Sequence, residues 1–175
     1  MKEKKIKLYN MAFPIWLLWL IPITWFIILP VNFFIDLLVV VLTMKYLKIK
    51  NIKTLVKPAI LRIWIFGFIA DMIGTVLMII PCLIQFDYNS QIGMWWYHNL
   101  SNAIMYNPFE SVYAFIWVTV SLIISAYCIY YFNSKFCLKK VELSLIQKKK
   151  IALSLAVFTS PYAFYLPTAI FFNGF

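Results

Sequence analysis

Two aspartates sit where a membrane-crossing chain accommodates them least. Asp36 interrupts the apolar run LPVNFFIDLLVVVLTMKYL, and Asp71 interrupts RIWIFGFIADMIGTVLMIIP. The other long apolar runs carry no charge. A carboxylate inside a bilayer is costly unless it is paired, hydrated or protonated, so such a residue marks a site by default. Asp36 lies nine residues before Lys45, and Asp71 nine residues after Arg62. Either interval is ~14 Å of helix, about half of a hydrocarbon core. The two acids are therefore expected at one depth, on antiparallel neighbours joined by a basic loop. Two facing carboxylates repel, so such a pair would share a proton or hold a cation or cationic solute.

The faces around the acids fit an inward site. Asn32, Asp36 and Thr43 share one helical stripe, and Gly67, Asp71, Gly74, Thr75 and Met78 another. The glycines permit close helix approach, and Asn or Thr can hydrogen-bond across the seam. The expected cation, proton or solute site is thus Asp36, Asp71, Asn32, Thr43, Gly67, Gly74 and Thr75. A later segment adds Ala114, Ser121, Ser125 and Cys128 on one face. The last adds Ser154, Pro161, Tyr165 and Thr168.

These acids need membrane helices to position them, and the composition supplies them. The 175 residues are 64% hydrophobic and 13% charged, far from the balance of a soluble domain. Several runs can cross a ~30 Å core, and their continuity argues against a barrel. The fold class is all-α, a polytopic membrane bundle in one domain. The spacing predicts five transmembrane helices at about 12–29, 32–47, 60–84, 109–132 and 150–171. A turn at Pro30–Asn32 is expected, because one helix from 12 to 47 would be ~54 Å long.

The net charge of +10 is read as loop lysines meeting lipid, with no nucleic-acid partner. The N-terminus, the 45–62 loop and the 135–150 loop hold all 16 basic residues. The 30–32 turn, the outer loop 85–108 and the C-terminus hold none. The positive-inside rule then puts the N-terminus in the cytoplasm and the C-terminus outside.

The outer loop contains Trp95, Trp96, Tyr97 and His98, which suit a headgroup interface or a partner. Residues 92–105 are expected to form a short interfacial or partly re-entrant helix. His98 with Asp87 and Glu110 is a conceivable metal set, but a lone interfacial histidine is the simpler reading, and no metal or cofactor is assigned. Asn107-Pro108-Phe109-Glu110 reads as a cap and first turn opening the fourth helix. Cys82, Cys128 and Cys137 show no pairing or metal spacing and read as small apolar fillers.

The pattern LPVNFFID, FGFIADMIG, WWYHN with YNPFE, and SPYAFYLPT resembles small multi-span membrane proteins of low-GC Gram-positive bacteria. That resemblance implies a bacterial cytoplasmic membrane and carries no activity with it. Size and apolar character also resemble the substrate-binding subunits of energy-coupling-factor transporters. Those have six spans, and helix 1 here lacks their AxxxA. Intramembrane aspartyl peptidases use two embedded acids too, but their GxGD is absent: Gly67–Asp71 reads GFIAD. No catalytic residue is assigned, and the chain is expected to be non-enzymatic. The expectation is a small transporter or transporter subunit, with a homo-oligomer or a partner membrane protein. The alternative is an assembly or accessory protein acting through its aromatic outer loop.

Overall fold

The computed structural model describes residues 15–168, and among these the regular structure is helical throughout. Among the described residues three helices are long and apolar enough to cross a membrane: α1 (Trp25–Tyr46), α3 (Ile60–Leu83) and α6 (Val112–Phe132). A short surface helix, α2 (Ile52–Val56), links α1 to α3. Between α3 and α6, α4 (Gln91–Trp96) and α5 (Asn102–Tyr106) join through a π-helical turn at Tyr97–Ser101. Helix thus covers the residues 92–105 for which a short helix is expected. The last helix, α7 (Leu145–Phe158), is only 14 residues long.

The first expectation to fall is the turn at Pro30. α1 runs through Pro30 without a break. The length argument for a turn assumed helix from residue 12, but Ile15–Leu20 and Pro22–Thr24 are separate 3-10 turns. Starting at Trp25, the helix is ~33 Å long and needs no turn. Proline is tolerated in membrane helices where neighbours hold the backbone, and beside Pro30 the Trp64 indole donates to the Leu29 carbonyl at 2.7 Å. The spans expected at 12–29 and 32–47 are replaced by α1 and the turns before it. Residues 12–14 of the first span and 169–171 of the last lie outside the described residues.

The second correction is at the other end of the chain. The span expected at 150–171 stops at Phe158 because Pro161 brings no N–H and the residue before a proline disfavours helix. It starts earlier than expected because Ser144 and Gln147 form a reciprocal capping box. Beyond it the chain continues as a 3-10 turn, Tyr162–Tyr165. At the start of α6, Asn107 caps a separate 3-10 turn, Pro108–Glu110, and the helix proper begins at Val112.

α3 packs most extensively against α6. α1 crosses α3 obliquely. Trp25 meets Phe68 edge-on at 5.3 Å, Phe33 meets Trp64 at 5.8 Å, and the Asp36 carboxyl lies over Gly67. Residues 25–36 of α1 thus fall on the shorter 64–68 stretch of α3.

The apolar interior has two parts. One gathers Val40, Met44, Ala59, Ile63, Ile129, Leu138, Ile151 and Leu155 at the lysine-rich end. The other gathers Trp16, Met78, Leu100, Ile104, Ala114, Val118 and Phe164 at the opposite end. Tryptophan indoles tie the elements together by donating to backbone carbonyls: Trp16 to Ile104, Trp96 to Pro81 and Trp117 to Leu77. Such bonds suit an apolar setting, where the ring packs and the N–H still finds an acceptor.

Gly93 stands against the turn that precedes α4. A Cβ there would stand 2.0 Å from the Asp87 carbonyl oxygen, inside the turn that Ser90 caps. Gly93→Ala should therefore displace the 87–90 turn. Because that turn is largely exposed and can shift as a unit, the cost should be only about 1–2 kcal/mol. Faster proteolysis at 85–91 with an unchanged denaturation midpoint for the rest would match this. An unchanged cleavage rate would contradict it.

Candidate functional site

Between the two apolar clusters lies a layer of buried polar groups: Asp36, Asp71, Thr75, Ser121, Ser125 and Ser160. Asp36 and Asp71 each stand near the middle of their helix. Asp36 would have been shallow had α1 begun after Pro30. The corrected helix start removes that difficulty.

Both acids line one partly enclosed cavity of about 190 Å³ between α1, α3 and the end of α7. Asn32, Gly67, Phe68, Phe158, Thr159, Ser160, Pro161 and Tyr162 complete most of its wall. No lysine, arginine or histidine is among the lining residues.

The site exists because α7 stops at this depth. Its last turn leaves backbone carbonyls without helical donors. The Ser160 hydroxyl donates to Ala156 O and the Tyr162 hydroxyl to Val157 O, while Leu155 O accepts both the Thr159 N–H and its hydroxyl at 2.9 Å. The C-terminal end of a helix carries a partial negative charge. Among the described residues, the cavity therefore has two carboxyls and a negative dipole end, which favour a cation or a proton.

The acids have different supports. Asp36 is 5% exposed. The Thr159 hydroxyl, which donates to Leu155 O, lies near its carboxyl. Asp71 is tied into the α3–α6 seam, where Ser125 donates to Ala70 O at 3.0 Å and reaches Asp71 Oδ1 at 3.4 Å. Thr75 donates to the Asp71 backbone carbonyl.

Of the expected site residues, Asp36, Asp71, Asn32 and Gly67 come together at the cavity. Gly74 and Thr75 do not line it. Gly74 lies under Phe164 and Ser125, where a Cβ would come within 2.9–3.1 Å. Thr43 lies two turns further along α1 and is not part of the wall. Pro161 lines the cavity, while Tyr165 turns away and hydrogen-bonds Thr119 at 2.7 Å. Thr159, Ser160, Phe158 and Tyr162 are site residues that sequence reasoning missed. The signal for them was Thr-Ser-Pro in the middle of an apolar run.

The outer loop residues divide. Trp96 is anchored to Pro81 O, whereas Trp95, Tyr97 and His98 are exposed. Trp95 stacks edge-on with Tyr113, and His98 with Tyr97. His98, Asp87 and Glu110 do not assemble. Among the described residues no three His, Cys, Asp or Glu side chains cluster as metal ligands.

Comparison with family models, curated proteins and solved structures gives no match to this chain.

Proposed function

We propose that this chain is a small, non-enzymatic, multi-pass protein of a bacterial cytoplasmic membrane, and that its acid-lined cavity binds a cation or cationic solute in competition with protons. It would act as a transporter or transporter subunit. The observation that carries this reading is the convergence of Asp36, Asp71 and the broken end of α7 on one cavity. Discontinuous helices that end at a midplane site are a recurrent way of building ion and substrate sites in secondary transporters.

The titratable groups lining the cavity are Asp36, Asp71 and Tyr162. A cation that displaces one proton from the acids binds more weakly as pH falls, by up to about tenfold per pH unit below the titration of the pair. Proton release on adding cation to weakly buffered protein tests this. Release from the native chain, absent in Asp36→Asn, is expected. Equal release from both would remove the proposal.

Orientation follows from charge. Twelve basic residues, Lys45 to Arg62 and Lys135 to Lys150, stand at one end of the bundle, and Lys148 bonds the Lys139 carbonyl there. We assign that end to the cytoplasm by the positive-inside rule. In a variant without native cysteines, Lys139→Cys should label from the cytoplasmic face and Asn99→Cys from the outer face. The reverse pattern would invert the topology. The five-crossing arrangement further requires a separate passage before Trp25. It would place a cysteine at Lys4 with Lys139, whereas outer-face labelling would eliminate that passage.

A further inference from the structure

Resting on the site reading above, we propose that the cavity's cation is a small organic ammonium with an apolar body, rather than a metal ion. Three independent observations point that way.

The first is size. A cavity of about 150 Å³ lined by apolar side chains takes benzene, and this one is about 190 Å³. A bare metal ion would leave most of it empty. A cation of benzene size or slightly larger fills it.

The second is the wall. Ile35, Phe68, Phe158, Pro161, Tyr162 and Ala163 share it with the two carboxyls. Hard divalent cations want about six or more oxygen ligands in a tight shell. Here the wall offers the two carboxyls, the Asn32 amide and the Thr159 and Ser160 hydroxyl oxygens, and the rest of it is apolar or aromatic. A divalent ion would face that apolar surface over part of its shell. Aromatic faces beside carboxylates are instead how proteins hold ammonium groups, through cation–π attraction joined to charge.

The third is the Asp36 carboxyl. It is buried, with 5% of the residue exposed, and it borders the cavity. The Thr159 hydroxyl near it donates to Leu155 O, and no lysine, arginine or histidine lines the cavity. A buried carboxylate needs a donor or a proton. A proton serves when the cavity is empty. An ammonium N–H serves when the cavity is filled. The ligand and the proton thus compete for one oxygen pair, and the ligand's apolar part lies against Phe68 and Tyr162.

Gly67 supplies the discriminating variant. A Cβ there would stand 3.4 Å from Asp36 Oδ2. A larger side chain would take up cavity space while leaving both acids in place. In a Gly67→Val variant a proton still fits beside the added methyl groups; an organic cation does not.

The test measures binding to the full chain in lipid nanodiscs with four probes: benzylammonium, 1,4-diaminobutane, sodium and manganese(II). Benzylammonium or the diamine should bind more tightly than either metal ion. Asp36→Asn should lower that affinity at least about tenfold, and Phe68→Leu about three- to tenfold. Gly67→Val should abolish organic-cation binding and retain proton uptake. Phe68→Leu, a mild change on the cavity wall, keeps the test valid if Gly67→Val fails to fold.

Sodium or manganese binding more tightly than both amines, lost in Asp36→Asn, would overturn this inference and leave the site reading intact. Organic-cation affinity unchanged by Phe68→Leu and Gly67→Val would also overturn it. Proton and cation binding unchanged in both Asp36→Asn and Asp71→Asn would overturn the inference and the site reading together.

Discussion

Asp36→Asn and Asp71→Asn are each expected to stop cation-driven proton movement across proteoliposomes, with losses of at least about 100-fold, or about 2.7 kcal/mol. The amide keeps the shape of the side chain but can neither release a proton nor balance a cation. Both acids line the same cavity, so removing either leaves one carboxyl to do both tasks. Each acid lies near one hydroxyl that donates to a backbone carbonyl, Thr159 to Leu155 O and Ser125 to Ala70 O, so both substitutions should weaken cation binding as well as block exchange. Thr43→Val is the control. Thr43 belongs to the same stripe of α1 but not to the wall, and its replacement should leave flux within about twofold. Flux is read with a pH-sensitive dye inside the vesicles after a cation jump. Full flux in either Asn variant would contradict the assignment.

Gly74→Leu should be the most destabilising single change in the described core, by about 3 kcal/mol. Even a Cβ at Gly74 would meet Phe164 Cε2 at 2.9 Å, the Ser125 Cβ at 3.0 Å and Phe164 Cζ at 3.1 Å. Neither neighbour is free to move. Phe164 is fully buried against Trp16, Met78 and Val118, and Ser125 is tied to the backbone of α3. Small residues at such seams let membrane helices approach closely. The denaturant midpoint of purified protein should fall clearly. Adding Phe164→Leu to Gly74→Leu should restore at least half of the loss, because it removes the rim of the ring that the new side chain strikes. A Gly74→Leu variant with native stability would show that α3, α6 and the 162–165 turn are not packed this way.

The long helices were legible because their signal is length. Ile60–Leu83 and Val112–Phe132 are continuous apolar runs bounded by lysines or by Asn-Pro, and they came out within a few residues of expectation. The acids were legible because a lone charge in such a run has few explanations. Pro30 was misread because a helix running from residue 12 would have been too long for one span; the helix begins at Trp25 instead and runs through Pro30, beside which Trp64 donates to Leu29 O. Pro161 shows the opposite outcome from the same residue type. There the hydroxyls of Ser160 and Tyr162 take the last carbonyls of α7, so breaking the helix costs little. At Pro161 the hydroxyls are local and the Thr-Ser-Pro run signals the stop, whereas the Trp64 contact beside Pro30 comes from another helix. What hid Thr159 and Tyr162 as site residues was the depth at which α7 ends. Their place at the cavity follows from where α7 ends, not from any periodicity.

The central claim is that Asp36 and Asp71 face one cavity, and their proximity tests it most directly. In a chain lacking Cys82, Cys128 and Cys137, the Asp36→Cys/Asp71→Cys pair should be bridged by a mercuric ion or a short thiol-specific cross-linker. Both thiols should then be protected from maleimide together, whereas a Thr43→Cys/Asp71→Cys pair should not be bridged. Independent labelling of the two thiols in the first pair, with no bridge formed, would contradict the account.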